Sequence, residues 1–517
     1  MHSRFERYRG CEVRYGIAVL DIGKTNKKFV LFNEYLEPVE IRKTNIETYR
    51  SPDGFDLEDV EAIEQWMLEE LKRAAQQYPV RMISISTHGA SVVCVGKDGK
   101  PVVPPLAYTN EVPESVHQEF FRLFGPREQL QKETATAEVR PLINVGKLLF
   151  FVSQKYPEEF SRIHHILLYP QYFAFRLTGI PAAEYTYVGC HTYLWNPHRQ
   201  DWSSVADGLK IRSLLPERVR TPSEVLGRIT PSVSRVTGLD PDTGVTLGIH
   251  DSNSSMVPYL ISQEEDFILN STGSWCVAMH PMDQIKFREE ELGKMVFYNL
   301  SYCGRPIKTS ILPGGLELDT YWAILQKLHH RTDDPGWDPE VYDGLIREKE
   351  VFVLPSALRG AGQFPESHPR VREGNNTYLL EEMEGGRVVP QVFRDYQRGF
   401  AATILSIAVQ TKVALERVGL VPGIRVFIEG GFRRNEAYLK LLASLLPDNP
   451  LYVTDFEEAT SVGAALCAKA AYEDLPVETF RNHIRITTHR VEREEIPALD
   501  RYAVAFLEKV QHTKARL

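Results

Sequence analysis

The sequence predicts a mixed α/β protein made of two similar lobes. Three observations carry that expectation. The first hundred residues alternate β-rich runs with one strongly periodic helix. A strand–turn–strand scheme at Tyr15–Phe32 recurs at Asp266–Met279, again around a small polar turn. The length, 517 residues, exceeds one ordinary domain of roughly 100–200 residues.

The elements follow in order. GIAVL and KFVLF flank a Gly/Lys/Thr/Asn turn and read as a hairpin. A helix is predicted over Asp56–Gln76, where Val60, Ile63, Met67, Leu71 and Ala74 recur at helical spacing. A strand at Arg81–Ser86 and a second hairpin turning at Lys97–Gly99 come next. Asn144–Gly179 reads as helical, stopped by Gly179 and Pro181. Pro216–Gly244 reads as a loop-rich connection. In the second half, a strand at Arg425–Ile428 runs through Gly430–Gly431 into a helix, and the last helix is about Arg501–Val510. The seam falls near residue 255, which divides the chain into lobes 1–255 and 256–517.

Composition excludes several classes. A chain 43% hydrophobic and 25% charged is globular rather than disordered. A net charge of −9 without clustered Lys/Arg gives no support to a nucleic-acid or membrane-surface binder. No run of about 18 apolar residues predicts a spanning helix. The opening MHSRFERYRGCEVRYG has no apolar core, so no secretory leader is expected. Cys11, Cys94, Cys190, Cys276, Cys303 and Cys467 form no CxxC pair or zinc spacing, and reduced thiols in a cytoplasmic protein are expected.

Five segments carry candidate chemistry. Asp21-Ile22-Gly23-Lys24-Thr25-Asn26 contains G-K-T, but Ala18 stands where a P-loop needs its first glycine and no helix follows Thr25. What remains suits Mg²⁺ and phosphate, or equally an ordinary glycine turn capped by Asp21. Ser271-Thr272-Gly273-Ser274 occupies the matching place in the second lobe, either as a plain hairpin turn or as the other jaw of a polyphosphate clamp. Glu429-Gly430-Gly431-Phe432-Arg433-Arg434-Asn435 follows a strand and opens a helix, where free N–H groups can meet an anion. Downstream, the small residues of Ala459–Ala465 read as close helix packing. Gly248-Ile249-His250-Asp251 ends a strand with a carboxylate that can serve as a general base, as a helix N-cap for Ser252 onwards, or as both. His88-Gly89 ends another strand, with His88 either structural or in contact with a polar ligand.

Taken together and in this order, DIGKTNKK, STGSW, GIHDSNSS, EGGFRRN and SVGAALCA resemble the motifs of the FGGY family of carbohydrate kinases, in the actin and heat-shock ATPase superfamily. YPQYFAFRLTG resembles a further family segment. The nearest branch is that of the rhamnulose and fuculose kinases. The resemblance implies two ribonuclease-H-like lobes closing over ATP, Mg²⁺ and a small ketose. It implies Asp251 as the general base and Asp21 at the metal. Gly23, Thr25, Gly273 and Ser274 are implied at the phosphates, and Gly430, Gly431 and Asn435 at the nucleotide. His88, Gly89 and His250 fall where the family contacts its sugar. Three positions depart from the pattern: Gly89-Ala90-Ser91 replaces GVD beside the sugar, Phe432 replaces a third glycine, and Gln171 replaces an aspartate.

The expected activity is γ-phosphoryl transfer from ATP to a hydroxyl of an L-rhamnulose- or L-fuculose-like ketose, with another ketose or a polyol as the alternative. A silent sugar sensor of the same fold and an actin- or chaperone-like ATPase are the rival classes. Sugar and ATP are the expected partners, with no nucleic acid, no membrane, and a homodimer as one open assembly.

Overall fold

The hairpin of Tyr15–Phe32 forms as predicted, as β1 (Gly16–Ile22) and β2 (Asn26–Asn33). The computed structural model describes residues 15–358, 360–456 and 458–511. The segment from which a missing leader is expected, and Cys11 within it, lie outside the described residues. The first sheet is completed by β3 (Pro38–Asn45), β4 (Val80–Thr87), β5 (Val225–Arg228), β6 (Gly244–Thr246) and β7 (Ile249–His250). Its order is β5-β6-β4-β1-β2-β3, with β7 also on β4. The β1–β4, β4–β6 and β4–β7 pairs are parallel, whereas β1–β2 and β2–β3 are antiparallel.

The second sheet repeats this plan. Its strands are β8 (Phe267–Thr272), β9 (Cys276–Pro281), β10 (Val296–Leu300), β11 (Pro306–Leu312), β12 (Arg425–Gly430), β13 (Leu451–Thr454) and β14 (Thr488–Arg490). They are ordered β10-β11-β9-β8-β12-β13-β14. Antiparallel β8–β9 and β9–β11 stand where the first sheet has β1–β2 and β2–β3, and parallel β8–β12 stands where it has β1–β4.

Helices cover both sheets. α1 (Val60–Ala75) begins where Asp59 accepts the Ala62 N–H at 2.9 Å, and it packs with α2 (Tyr169–Thr178) in the core of the first lobe. α3 (Asp251–Ser262) runs through residue 255 and lies between the sheets. Its Val257 and Ile261 join Ile17 and Val19 of the first sheet, while Met256 and Tyr259 join Leu269 and Phe427 of the second. α4 (Gly314–His329), α5 (Tyr396–Arg417), α6 (Glu436–Leu445) and the closing α8 (Leu499–Gln511) enclose the second lobe's core. α7 (Ala459–Glu473) belongs to the second half of the chain, yet Val462, Leu466 and Ala470 pack into the first sheet's cluster. No helix of the described residues is long and apolar enough to cross a membrane.

Three expectations need correction. Asn144–Gly179 is not all helix: His165–Leu168 forms a strand paired with Val92–Val95. Ile166, Leu167 and Leu168 are a short apolar run, and such a run has no period that separates strand from helix. The second hairpin turns at Lys97–Gly99 as expected, with Gly96 N–H donating to Lys100 O and Val102 N–H to Cys94 O at 2.9 Å each, but its return arm amounts to one isolated bridge, Val95–Pro101. Pro216–Gly244 holds β5 and a helix at Pro231–Thr237, which starts with Thr230 as cap and Pro231 at its first turn and ends at Gly238.

Glu317 on α4 is a buried carboxyl that packs the second lobe. It accepts Gln410 Nε2 at 2.6 Å and the Ala357 N–H at 3.2 Å, and burial pushes its pKa to about 7. An acid whose pKa is raised by folding keeps a proton that the unfolded chain has lost, so stability falls as pH rises from about 4.5 towards 7. Glu317→Gln removes this liability. The melting temperature of the variant relative to the parent should rise between about pH 5 and about pH 8. A difference that stays flat across that range would show that Glu317 ionises as freely folded as unfolded.

Candidate active site

Gly430 ends β12 with φ 82°, and a Cβ there would stand 1.9 Å from the Thr272 carbonyl oxygen at the end of β8. The two parallel strand ends therefore meet backbone to backbone, an approach that only glycine permits. Thr272 Oγ1 donates to the Glu429 carbonyl and accepts the Phe432 N–H at 3.0 Å. Phe432 is turned into the core, its ring 4.8 Å from that of Tyr438, so the residue in place of a third glycine packs rather than faces the cleft. A turn of 3₁₀ helix over Gly431–Arg434 precedes α6, whose N-cap is Asn435, with Oδ1 accepting the Tyr438 N–H at 2.8 Å.

Gly273 and Ser274 form the exposed tip of the β8–β9 turn. That tip rests on the start of α4: Leu316 N–H donates to Ser274 O at 3.1 Å, and a Cβ on Gly315 would fall 2.2 Å from Gly273 O. Beside Gly430 and Gly431 a cavity of about 510 Å³ opens, lined also by Lys28, Glu429, Arg433, Glu458 and Thr460. Tyr259 Oη donates to Glu429 at 3.1 Å, and burial raises the Glu429 pKa.

Across the cleft, Asp21 stands on β1 opposite Lys28 on β2 and Ser86 on β4. Lys28 Nζ lies 3.4 Å from Asp21 Oδ2 and 2.7 Å from Glu458 Oε2, and Ser461 Oγ donates to Asp21 at 3.4 Å. Burial raises Asp21 to a pKa of about 6 against the pull of Lys28, and the negative charges of Asp251 and Glu458 add to the rise. Lys27 shapes the turn from beneath, its Nζ donating to Lys24 O at 3.1 Å and Ile46 O at 2.8 Å. Thr25 is exposed at the tip beside Gly23, while Lys24 turns aside to pair with buried Glu58.

A second group of side chains gathers next to that pair. His88 lies between Tyr108 and Tyr169, with ring centroids 5.6 and 5.0 Å away, and its Nδ1–H donates to Gly89 O at 2.9 Å. Burial lowers the His88 pKa. A Cβ on Gly89 would meet His250 Nε2 at 2.7 Å, so the THG turn and the end of β7 touch. Asn253 Nδ2 donates to Leu300 O at 2.6 Å, which turns Asn253 Oδ1 towards His250 Nδ1 at 2.8 Å. Nδ1 therefore carries a proton and donates it to Asn253 Oδ1. The His250 backbone is held by Thr186, itself bound by fully buried Glu184.

Asp251 is the first residue of α3 rather than its cap, which is His250. Its Oδ1 accepts the Ser252 N–H at 2.6 Å, lies 3.4 Å from His250 Nε2, and its side chain is 31% exposed to the cleft. Glu58, Tyr108 and His191 were not named from the sequence, and Lys24, Tyr169 and Cys190 figured there only within the G-K-T turn, YPQYFAFRLTG and the six cysteines. Only the adjacent Cys190-His191 pair offered a local signal, because the others meet through contacts remote in the chain.

Two sheets of one strand order, each turning loop tips into a common cleft, define the actin-like ATPase fold. Residues 16–258 match the N-terminal domain of the FGGY family of carbohydrate kinases, and residues 264–476 match the FGGY C-terminal domain. The chain belongs to the FGGY family of carbohydrate kinases. A rhamnulokinase of Halalkalibacterium halodurans is 26% identical over 268 residues, 51% of this chain and 55% of that protein. A rhamnulokinase of Klebsiella pneumoniae is 26% identical over 270 residues, 51% and 53% of the two chains. The chain thus spans about half the length of these relatives. The fold matches a carbohydrate kinase from Novosphingobium aromaticivorans, with a TM-score of 0.77 at 24% identity over 97% of this chain and 99% of that one. It also matches a xylulose kinase from Lactobacillus acidophilus, with a TM-score of 0.76 at 17% identity over 97% and 98%.

Gly430→Ala tests the junction of strand ends. A methyl group at positive φ and against a backbone oxygen should destabilise the protein by about 2–3 kcal/mol. The measurement is the urea midpoint at unchanged slope, and an unmoved midpoint would mean that the two ends do not bear on one another.

Proposed function

We propose that the protein is an ATP-dependent kinase that transfers the γ-phosphoryl group to a hydroxyl of a small ketose. The observation that carries this reading is the pairing of two unlike carboxylates at one end of the first sheet, where β1 and β7 flank β4. Asp21 is buried beside Lys28, while Asp251 opens to the cleft at the end of β7. Direct transfer to an alcohol needs a base on the acceptor side and charge compensation on the donor side. Asp251 takes the hydroxyl proton; Asp21 faces the phosphates.

The phosphate chain runs between the Gly23–Thr25 and Gly273–Ser274 tips, and the nucleotide occupies the cavity beside Gly430 and Gly431. Asn435 then borders the nucleotide through the cap of α6 rather than by direct contact. Asp21 and the Ser461 hydroxyl are hard oxygen donors that fit Mg²⁺, which when bound neutralises charge on the transferring group. The sugar sits on His88, Gly89 and His250, against the Tyr108 ring.

The rhamnulokinase likeness supports an L-rhamnulose- or L-fuculose-like ketose. The second reading, another ketose or a polyol, is favoured by Ala90 and Ser91, which place no carboxylate directly after Gly89 in the chain. ATP as donor and five free thiols among the described residues support a cytoplasmic enzyme.

ADP release with ATP and Mg²⁺ should rise sharply with one ketose of a panel of ketoses, aldoses and polyols. Release that is indifferent to every sugar would favour an ATPase of another kind. Asp251→Asn should lower kcat by about 10²–10⁴-fold while ATP binding is kept. Turnover near the parental rate would remove Asp251 from the role of base.

A further inference from the structure

Cys190 and His191 follow the short helix Tyr185–Val188 and meet His250 behind Asp251. The proposed phosphoryl transfer has no use for a thiol there. One donor atom from each of Cys190, His191 and His250 falls within 4.8 Å of the others. Cys190 Sγ lies 3.6 Å from His250 Nε2, which lies 3.4 Å from Asp251 Oδ1. A tetrahedral zinc centre with bonds of about 2.3 Å to sulfur and about 2.0–2.2 Å to nitrogen and oxygen has S–N edges of about 3.6 Å and N–O edges of about 3.4 Å. The separation of Cys190 Sγ from His250 Nε2 matches the S–N edge.

Three further features suit a ligand set. Asn253 fixes the Nδ1–H of His250 and leaves Nε2 free to ligate, the outer contact that metal-binding imidazoles use. His191 Nδ1 is buried without a hydrogen-bond partner. Gly89 keeps the space clear, since a Cβ there would lie 2.7 Å from His250 Nε2 and 3.0 Å from His191 Cε1.

We infer that Cys190, His191 and His250 form a three-residue site, beside Asp251, for a thiophilic divalent cation of the Zn²⁺ or Cd²⁺ kind. Binding forms a metal–sulfur bond and releases the Cys190 proton to solvent, with no change of oxidation state. The occupied site blocks the acceptor, a consequence that rests on Asp251 being the base; the binding itself does not.

The test uses the full chain carrying Cys11→Ser and Cys303→Ser, which removes the one exposed thiol of the described residues and the one outside them. Cd²⁺ alone is titrated, without sugar or nucleotide. One equivalent should bind with ultraviolet sulfur-to-cadmium charge-transfer absorbance. That band should vanish in Cys190→Ser, and His191→Gln should weaken binding by at least about tenfold. Absence of the band, or a band that survives Cys190→Ser, overturns the site. If Cys190→Ser does not fold, His191→Gln decides, and unchanged affinity overturns it. A band in a protein without sugar-dependent turnover would sink the kinase reading alone, whereas turnover without a band would sink the metal site alone.

Discussion

The cleft depends on α3 being held from both sides. Its apolar residues form two faces, Met256 and Tyr259 towards one sheet and Val257 and Ile261 towards the other. Pro258 has no N–H, so the Ser254 carbonyl lacks the donor that the fourth residue on would supply. Gly463 of α7 comes up to that carbonyl, and a Cβ there would fall 1.9 Å from it. The bare Cα makes the kind of C–H···O approach that recurs where helices cross closely. Ser254 Oγ adds a bond to Thr460 O at 2.7 Å. The crossing fixes α7 relative to α3, and with it the place of Ser461 and Glu458 relative to Asp251. Small residues in SVGAALCA thus serve packing and, through it, the site.

The two carboxylates differ because their surroundings differ. Asp21 is buried, and Lys28 offsets only part of the cost of charging it, since Lys28 also serves Glu458. Asp251 starts a helix, where the backbone N–H groups favour negative charge, and it stays open to the cleft. Neighbouring acids in unlike environments can take unlike roles at one pH. The position of each on its strand decides which environment it meets: Asp21 before the hairpin turn, Asp251 after β7 has run out.

What was legible in the sequence was local. The hairpins at β1–β2 and β8–β9 show in period-two runs around small turns, and α1 shows in its helical spacing. The β12–Gly430 turn was legible for the same reason. The strand at His165–Leu168 was not, because its pairing with Val92–Val95 is set by tertiary contact and its residues read equally well as helix. At the site, the turns and Asp251 stand in recognisable strings. Lys24 with Glu58, or Tyr108 with His88, meet only once the chain has folded, and nothing near either residue announces its partner. Phe432 shows a further limit: a residue in a glycine-rich string turned out to face the core.

The duplicated plan also explains why the two jaws are not alike. In the second lobe the space around the β8–β9 tip is filled by backbone, with Gly315 against Gly273 and Gly430 against Thr272. That tip is closely packed backbone, and the cavity beside it is rimmed by Lys28, Glu429, Arg433 and Glu458. In the first lobe the chain between β4 and β5 folds back over the strand ends and brings Tyr108, Tyr169, Thr186 and Cys190 over them. That surface is built of rings, hydroxyls and titratable groups, which suits a compact polar molecule read on several sides. One strand order, used twice, therefore yields a jaw of backbone and a jaw of side chains.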